Sequence, residues 1–209
     1  MSLTSPSLRE RKKQRTADDL FDAALSLFAQ RGYDDVTVEE ICELAEVSRA
    51  TFFRYYKSKA GLVAEFNHRL ADRVAARIAR LKNPSATEQL FAMQEELADA
   101  WNTCGPAVRA MALDFAHVVA VDATQAPPPF PELLLLCTSI VAQGQKSGEF
   151  ADSHAPAFVA ATIAGLLGGI TMHWLALGVA RDGRQTKQGK LDRAMRDALD
   201  LLIKGLNKR

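Results

Sequence analysis

A chain of 209 residues with 48% hydrophobic and 24% charged side chains has the balance of a soluble protein that buries a sizeable core. Its net charge of +1 excludes bulk electrostatics as an argument for any partner. Cys42, Cys104 and Cys137 are odd in number and far apart, which excludes a disulfide framework and a paired-cysteine metal site.

The distribution of charge says more than its sum. Residues 1–82 hold fifteen Lys and Arg against twelve Asp and Glu, and residues 83–209 hold eleven against thirteen. The excess at the front lies in Arg9, Arg11, Lys12, Lys13 and Arg15, opposed locally by Glu10. A short basic arm ahead of a helix can track phosphates or enter a groove. No secretory signal pattern opens the chain, so a cytoplasmic location is expected.

The first predicted helix runs from about residue 9 to 31, with Phe21, Leu25 and Phe28 at helical spacing and Gly32 as its stop. Thr37-Val38-Glu39-Glu40 is a capping-box pattern. It opens a helix of about two turns carrying Ile41, Leu44 and Ala45, because Ser48 is already the next N-cap. A third short helix covers about 49–56. A fourth, with Ser58 as its expected cap, carries Leu62, Phe66, Leu70 and Val74 towards Leu81. Asn83-Pro84-Ser85 then breaks the pattern. Beyond it, helices are expected over 86–103, 106–122, 131–147, 155–180 and 188–206.

Two short helices joined by a tight turn form a helix-turn-helix, whose second helix enters the major groove. Sorted by face, Phe52 and Tyr56 pack inward, while Arg49, Ala50, Phe53 and Arg54 point towards base edges. Thr51 and Tyr55 lie between, placed to donate hydroxyls to phosphates. The guanidinium fork makes Arg49 and Arg54 the expected readers of guanine, and Ala50 and Phe53 can meet thymine methyls. Lys59 puts a cation at the positive end of a helix dipole, unfavourable by about 0.3–1 kcal/mol. A bound phosphate would reverse that sign, so Lys59 is expected to hold one.

The run from Thr37-Val38-Glu39-Glu40-Ile41 through Ala45-Glu46-Val47-Ser48-Arg49-Ala50-Thr51-Phe52-Phe53-Arg54-Tyr55-Tyr56-Lys57-Ser58-Lys59, with Ala24, Phe28, Gly32 and Tyr33 before it, resembles the signature of the TetR/AcrR family of transcriptional regulators. The match is close over about residues 15–62. The resemblance implies an all-α protein: an N-terminal three-helix helix-turn-helix module followed by a C-terminal helical bundle for ligand binding and dimerisation. The corresponding division is 1–60 for the basic arm and DNA-binding domain, 61–82 for a connecting helix, and 83–209 for the rest. DNA contacts are expected from Thr37, Arg49, Ala50, Thr51, Phe53, Arg54, Tyr55 and Lys59. The family usually has tyrosine where Phe53 stands, phenylalanine where Tyr56 stands, and glutamate where Gly61 stands.

Residues 155–180 contain no Asp, Glu, Lys or Arg, and Gly165 and Gly169 form a G-x-x-x-G pattern. Such a stretch raises a transmembrane reading; its content of small residues equally suits two soluble helices in close approach, and no membrane partner is expected. The family resemblance pairs the last two helices with those of a second subunit, for which Ile163, Gly165, Leu166, Gly169, Leu191, Met195, Leu199 and Leu202 are the expected interface. A ligand pocket within the C-terminal helices is expected among Phe91, Met93, Trp101, Met111, Phe115, His117, Met172, His173 and Trp174, mainly apolar as ligand sites usually are. No catalytic set, metal motif or cofactor is expected. The sequence thus reads as a homodimeric regulator of a palindromic operator, a repressor released by a small apolar effector. An activator or a ligand-independent regulator of the same fold is the alternative, and a membrane-associated helical protein a more distant one.

Overall fold

The computed structural model describes residues 7–105, 108–109, 112–113, 131–179 and 191–206, without the side chains of residues 60, 63, 178 and 179. Among the described residues eight helices follow one another: α1 (Leu8–Arg31), α2 (Val38–Leu44), α3 (Arg49–Tyr56), α4 (Ala60–Ala79), α5 (Ala86–Thr103), α6 (Pro131–Ser147), α7 (Pro156–Val179) and α8 (Leu191–Leu206). These bounds follow the expected helices within a few residues. The helix expected over 106–122 lies mostly outside the described residues. The all-α fold class is borne out.

Local chemistry explains the starts and stops. Ser7, Thr37 and Ser85 each form a capping box with the glutamate three residues on, at Glu10, Glu40 and Glu88, so two otherwise unpaired backbone amides are satisfied at each helix start. Ser48 caps α3 by accepting from the amide of Thr51. Gly32 closes α1 at φ 85°, a conformation glycine takes without a Cβ clash.

The chain divides into two compact units, Met1–Glu65 with Gly105–Ala116, and Phe66–Cys104 with His117–Arg209. The core of the first is Leu20, Phe21, Ala24, Phe28, Ile41, Phe52, Tyr56 and Leu62, all buried. Tyr56 keeps its polar end satisfied there, because its hydroxyl donates to the carbonyl of Ala17 at 2.7 Å. That bond ties α3 to α1 and accounts for a tyrosine where the family favours phenylalanine. Gly61 also has a structural reason. A Cβ at this position would lie 1.9 Å from the carbonyl oxygen of Tyr56, so the α3–α4 turn closes only over a bare Cα.

In the second unit α7 packs against α6 and α8, and α5 against α6 and α8. Each of the last two helices buries one i, i+4 ridge: Val159, Ile163, Leu167, Thr171 and Leu175 on α7, and Leu191, Met195, Leu199 and Ile203 on α8. The carboxylate of Glu149 accepts from the amides of Ala86 and Thr87, both at 2.8 Å, and so covers the start of α5. Burial opposes its ionisation, but hydrogen bonds from Thr87, Ala86 and Ser85 outweigh burial and hold its carboxyl below the ordinary range. On the outside, Arg73 and Arg77 of α4 grip Glu95, Glu96 and Asp99 of α5. The segment Pro156–Leu177 is long and apolar enough to cross a membrane, with mean hydropathy 1.6, and a third of its most apolar window (33%) is buried by the rest of the unit.

Candidate nucleic-acid interface and cavity

The helix-turn-helix presents the face that the sequence predicts. Arg49, Ala50, Phe53 and Arg54 are exposed, Thr51 and Tyr55 are half-buried, and Phe52 and Tyr56 are buried. Phe53 is held edge-on against Phe52, with ring centroids 5.5 Å apart, so an apolar side chain stands fixed and 42% exposed on the outer face. Arg49 lies over the Phe53 ring, 5.8 Å from its centroid, and its Nη1 pairs with Glu39 of α2 at 2.6 Å. Arg54 lies over Tyr55 at 5.3 Å.

Arg54 and Tyr55 also line a cleft with Arg9, Lys12, Lys13 and Thr16 of α1. The first turns of α1 therefore add three cations beside the recognition helix. Like charges gathered on one surface repel one another and attract a polyanion. The basic arm is here part of a helix, and Arg54 stands between that patch and the groove-facing residues.

Two of the residues expected to contact DNA have partners within the chain. The ammonium of Lys59 turns back to the loop between α1 and α2, donating to the carbonyls of Tyr33, Asp34 and Val36 and lying 4.2 Å from the centre of the Tyr33 ring. Each of its three donors has a carbonyl acceptor, so in this structure it clamps the loop. Thr37 acts as the N-cap of α2: its hydroxyl donates to Glu40 at 2.8 Å and accepts from the Glu40 amide. Its proton is therefore not available to a phosphate. Arg31 completes this corner, pairing with Glu40 at 2.6 Å and donating to the carbonyl of Asp35.

The second unit contains an apolar cavity of about 80 Å³ lined by Met93, Leu97 and Trp101 of α5, Leu133, Leu134 and Cys137 of α6, Ile163, Ala164, Leu167, Gly168, Thr171 and Met172 of α7, and Met195 of α8. Of the expected pocket residues, Met93, Trp101 and Met172 line it. Met111, Phe115 and His117 lie outside the described residues. Phe91 is corrected: it sits under the guanidinium of Arg196 at 5.1 Å, on the outside of α5. His173 is exposed and Trp174 half-buried, and neither lines the cavity. The thiol of Cys137 is pushed up to about 12 by burial, so it forms an apolar wall rather than a nucleophile. Among the described residues the one hydroxyl in the lining, that of Thr171, donates to the carbonyl of Leu167 at 2.9 Å.

The expected interface residues divide. Ile163, Leu191, Met195 and Leu199 belong to the buried ridges of their own protomer, which corrects their assignment to a dimer surface. Gly165 and Gly169 are exposed, and Leu166 and Leu202 half-buried. Among the described residues, the large apolar side chains exposed on these helices are Phe158, Leu177 and Leu201, the last at 75%.

Comparison with known proteins bears out the resemblance. Residues 20–66 match the family described as bacterial regulatory proteins, tetR family. Over 54 residues the chain is 52% identical to the HTH-type transcriptional regulator TcmR of Streptomyces glaucescens, a stretch that covers 26% of this chain and 24% of that protein. The HTH-type transcriptional repressor KstR of Rhodococcus jostii (strain RHA1) is 33% identical over 92 residues, 44% of this chain and 40% of that protein. The chain thus matches less than half the length of these curated relatives. The solved structure of Thermus thermophilus FadR, a TetR-family transcriptional repressor in complex with lauroyl-CoA, is similar with a TM-score of 0.66 at 22% identity, covering 92% of this chain and 96% of that one. Residues 20–66 thus match the tetR family, and the all-α fold is similar to that of the solved TetR-family structures.

Proposed function

We propose that this protein is a homodimeric transcriptional regulator that binds a pseudo-palindromic operator and represses until a small, largely apolar effector releases it. The observation that carries the reading is the recognition helix α3, whose outer face joins two arginines, a methyl group and a fixed aromatic ring. Those side chains can address guanine and thymine in the major groove, and the neighbouring α1 cations can hold the flanking phosphates. One helix of eight residues reads too few base pairs to specify an operator, and a two-fold dimer doubles the site. The exposed Phe158, Leu177 and Leu201, with the small residues Gly165 and Gly169 on α7, suit a second copy of the same face.

The effector site is the cavity of the second unit. No charged side chain lines it among the described residues, which favours an apolar ligand, and the lauroyl-CoA held by the Thermus relative accords with an alkyl chain there. A volume of about 80 Å³ is far below the roughly 300–1,000 Å³ of a drug-sized pocket. The ligand therefore binds by widening it, a change that Met93, Met172 and Met195 can follow by repacking. A ligand favouring the widened state shifts the protein away from the DNA-binding one. Such a regulator acts in the cytoplasm.

Selection from a random pool of duplexes by the purified full-length chain tests this. The expected product is an inverted repeat with half-sites about 10 base pairs apart, or a multiple of that, centre to centre. Failure to enrich any sequence overturns DNA reading. Sedimentation at a single-chain mass of 22.8 kDa overturns the dimer, and Leu201→Glu is expected to produce that mass from a wild-type dimer.

A further inference from the structure

Among the described residues, Arg49 is the outer-face arginine of α3 whose guanidinium is paired with a carboxylate. Glu39, in the first turn of α2, holds its Nη1 at 2.6 Å, with the two side chains 62% and 53% exposed. An ion pair as exposed as this contributes little to stability, so the fold does not need it. The Phe53 ring on the other side gives Arg49 a second restraint. Together the two contacts bias this long side chain towards one orientation before any partner arrives, with donors left over: a guanidinium has five N–H groups, and the contact with the carboxylate is made at Nη1.

We infer that Glu39 determines base specificity by positioning Arg49. The inference rests on the DNA-reading assignment above. Two physical effects act together. First, a buttressed guanidinium turns its free edge in one direction, and that edge matches the O6 and N7 acceptors of guanine. An unrestrained arginine could turn instead to the nearest phosphate. Second, the carboxylate cancels the charge of Arg49 towards the DNA backbone and itself repels phosphates. Arg49 therefore adds little to attraction for arbitrary sequence, and its remaining value lies in directional contact with one base. Arg54 is arranged differently, with its guanidinium over Tyr55 and beside the α1 cations, so it can serve the backbone.

The test compares wild type, Glu39→Gln, Glu39→Asp, Arg49→Ala and the Glu39→Gln/Arg49→Ala double variant, all as full chains. The probes are the duplex enriched from a random pool, its single-base-pair variants, and a scrambled duplex of the same composition, at several salt concentrations. Glu39→Gln is expected to bind the scrambled duplex several-fold tighter, with a salt slope steeper by about 0.9 as Arg49 becomes free to neutralise a phosphate. The ratio of enriched to scrambled affinity is expected to fall about tenfold, with the loss concentrated at one base pair in each half-site. Glu39→Asp is expected to keep that base preference in part. In the Arg49→Ala background, Glu39→Gln is expected to leave the preference unchanged. A preference within twofold of wild type in Glu39→Gln overturns the proposal, as does an equal change of preference in the Arg49→Ala background. If wild type enriches no sequence, the DNA-reading assignment falls and this proposal falls with it, an outcome separate from either variant result.

Discussion

Replacing Lys59 with methionine keeps most of the aliphatic stem and removes the ammonium, which separates the two roles open to this residue. In the folded protein the ammonium serves the carbonyls of Tyr33, Asp34 and Val36. A hydrogen bond to a charged group contributes about 1.5–3 kcal/mol. The Asp34 contact is long, at 3.4 Å, and exposed, so water can replace it; the Tyr33 and Val36 contacts are part-buried. Counting only those two at the low end, and adding about 0.5–1 kcal/mol for the cation over the Tyr33 ring, Lys59→Met is expected to cost about 3.5–4 kcal/mol. Urea unfolding measures this, and hydrogen exchange at residues 33–36 localises it. Because the ammonium faces the loop, the salt dependence of DNA affinity is expected to stay as in wild type wherever the variant is folded. Unchanged unfolding together with a salt slope shallower by about 0.9 would refute the clamp and restore a phosphate contact.

The other expectations concern the same module. Gly61→Ala sets a methyl group 1.9 Å from the Tyr56 carbonyl oxygen; the obstacle is backbone, so the α3–α4 turn must shift, at about 1–3 kcal/mol. Thermal unfolding is expected to move down accordingly, and a melting temperature at or above wild type would show that the turn yields freely. Glu40 is held at about 2 by hydrogen bonding to Arg31 first, and then to Thr37. A depressed carboxylate stabilises fully above its unfolded value, so this contribution is present above about 4.5 and is lost as pH falls through about 2. NMR titration of the Glu40 carboxyl is expected to show a midpoint near 2 that Arg31→Gln moves up towards 4.5, and a wild-type midpoint already near 4.5 contradicts the pairing.

What could be read along the chain was whatever acts over a few residues. The Thr37–Glu40 capping box, the Ser48 cap and the glycine after Arg31 are local devices, and they set the end of α1 and the starts of α2 and α3. The inward Phe52 and Tyr56 and the outward Arg49, Ala50, Phe53 and Arg54 followed from helical period within a single eight-residue helix. The motif from Thr37 to Lys59 carried the family resemblance for the same reason.

Tertiary structure decided where a side chain or an apolar surface had several destinations. The four-carbon stem of Lys59 can point to DNA or to carbonyls 23–26 residues earlier, and only the fold brings those carbonyls within reach. Glu39 and Arg49 lie ten positions apart on different helices, so their pairing depends on the angle of the turn between them. In α7 no charged residue marks the outside of the helix, so its inward ridge could not be told from its outward face. On α8 the true ridge of Leu191, Met195, Leu199 and Ile203 competes with further leucines at 201, 202 and 206. Packing chose Ile163, Met195 and Leu199 for the protomer's own core and left Phe158, Leu177 and Leu201 outside. Burial within one chain is a property of neighbours distant in sequence, and periodicity names a face without saying what covers it.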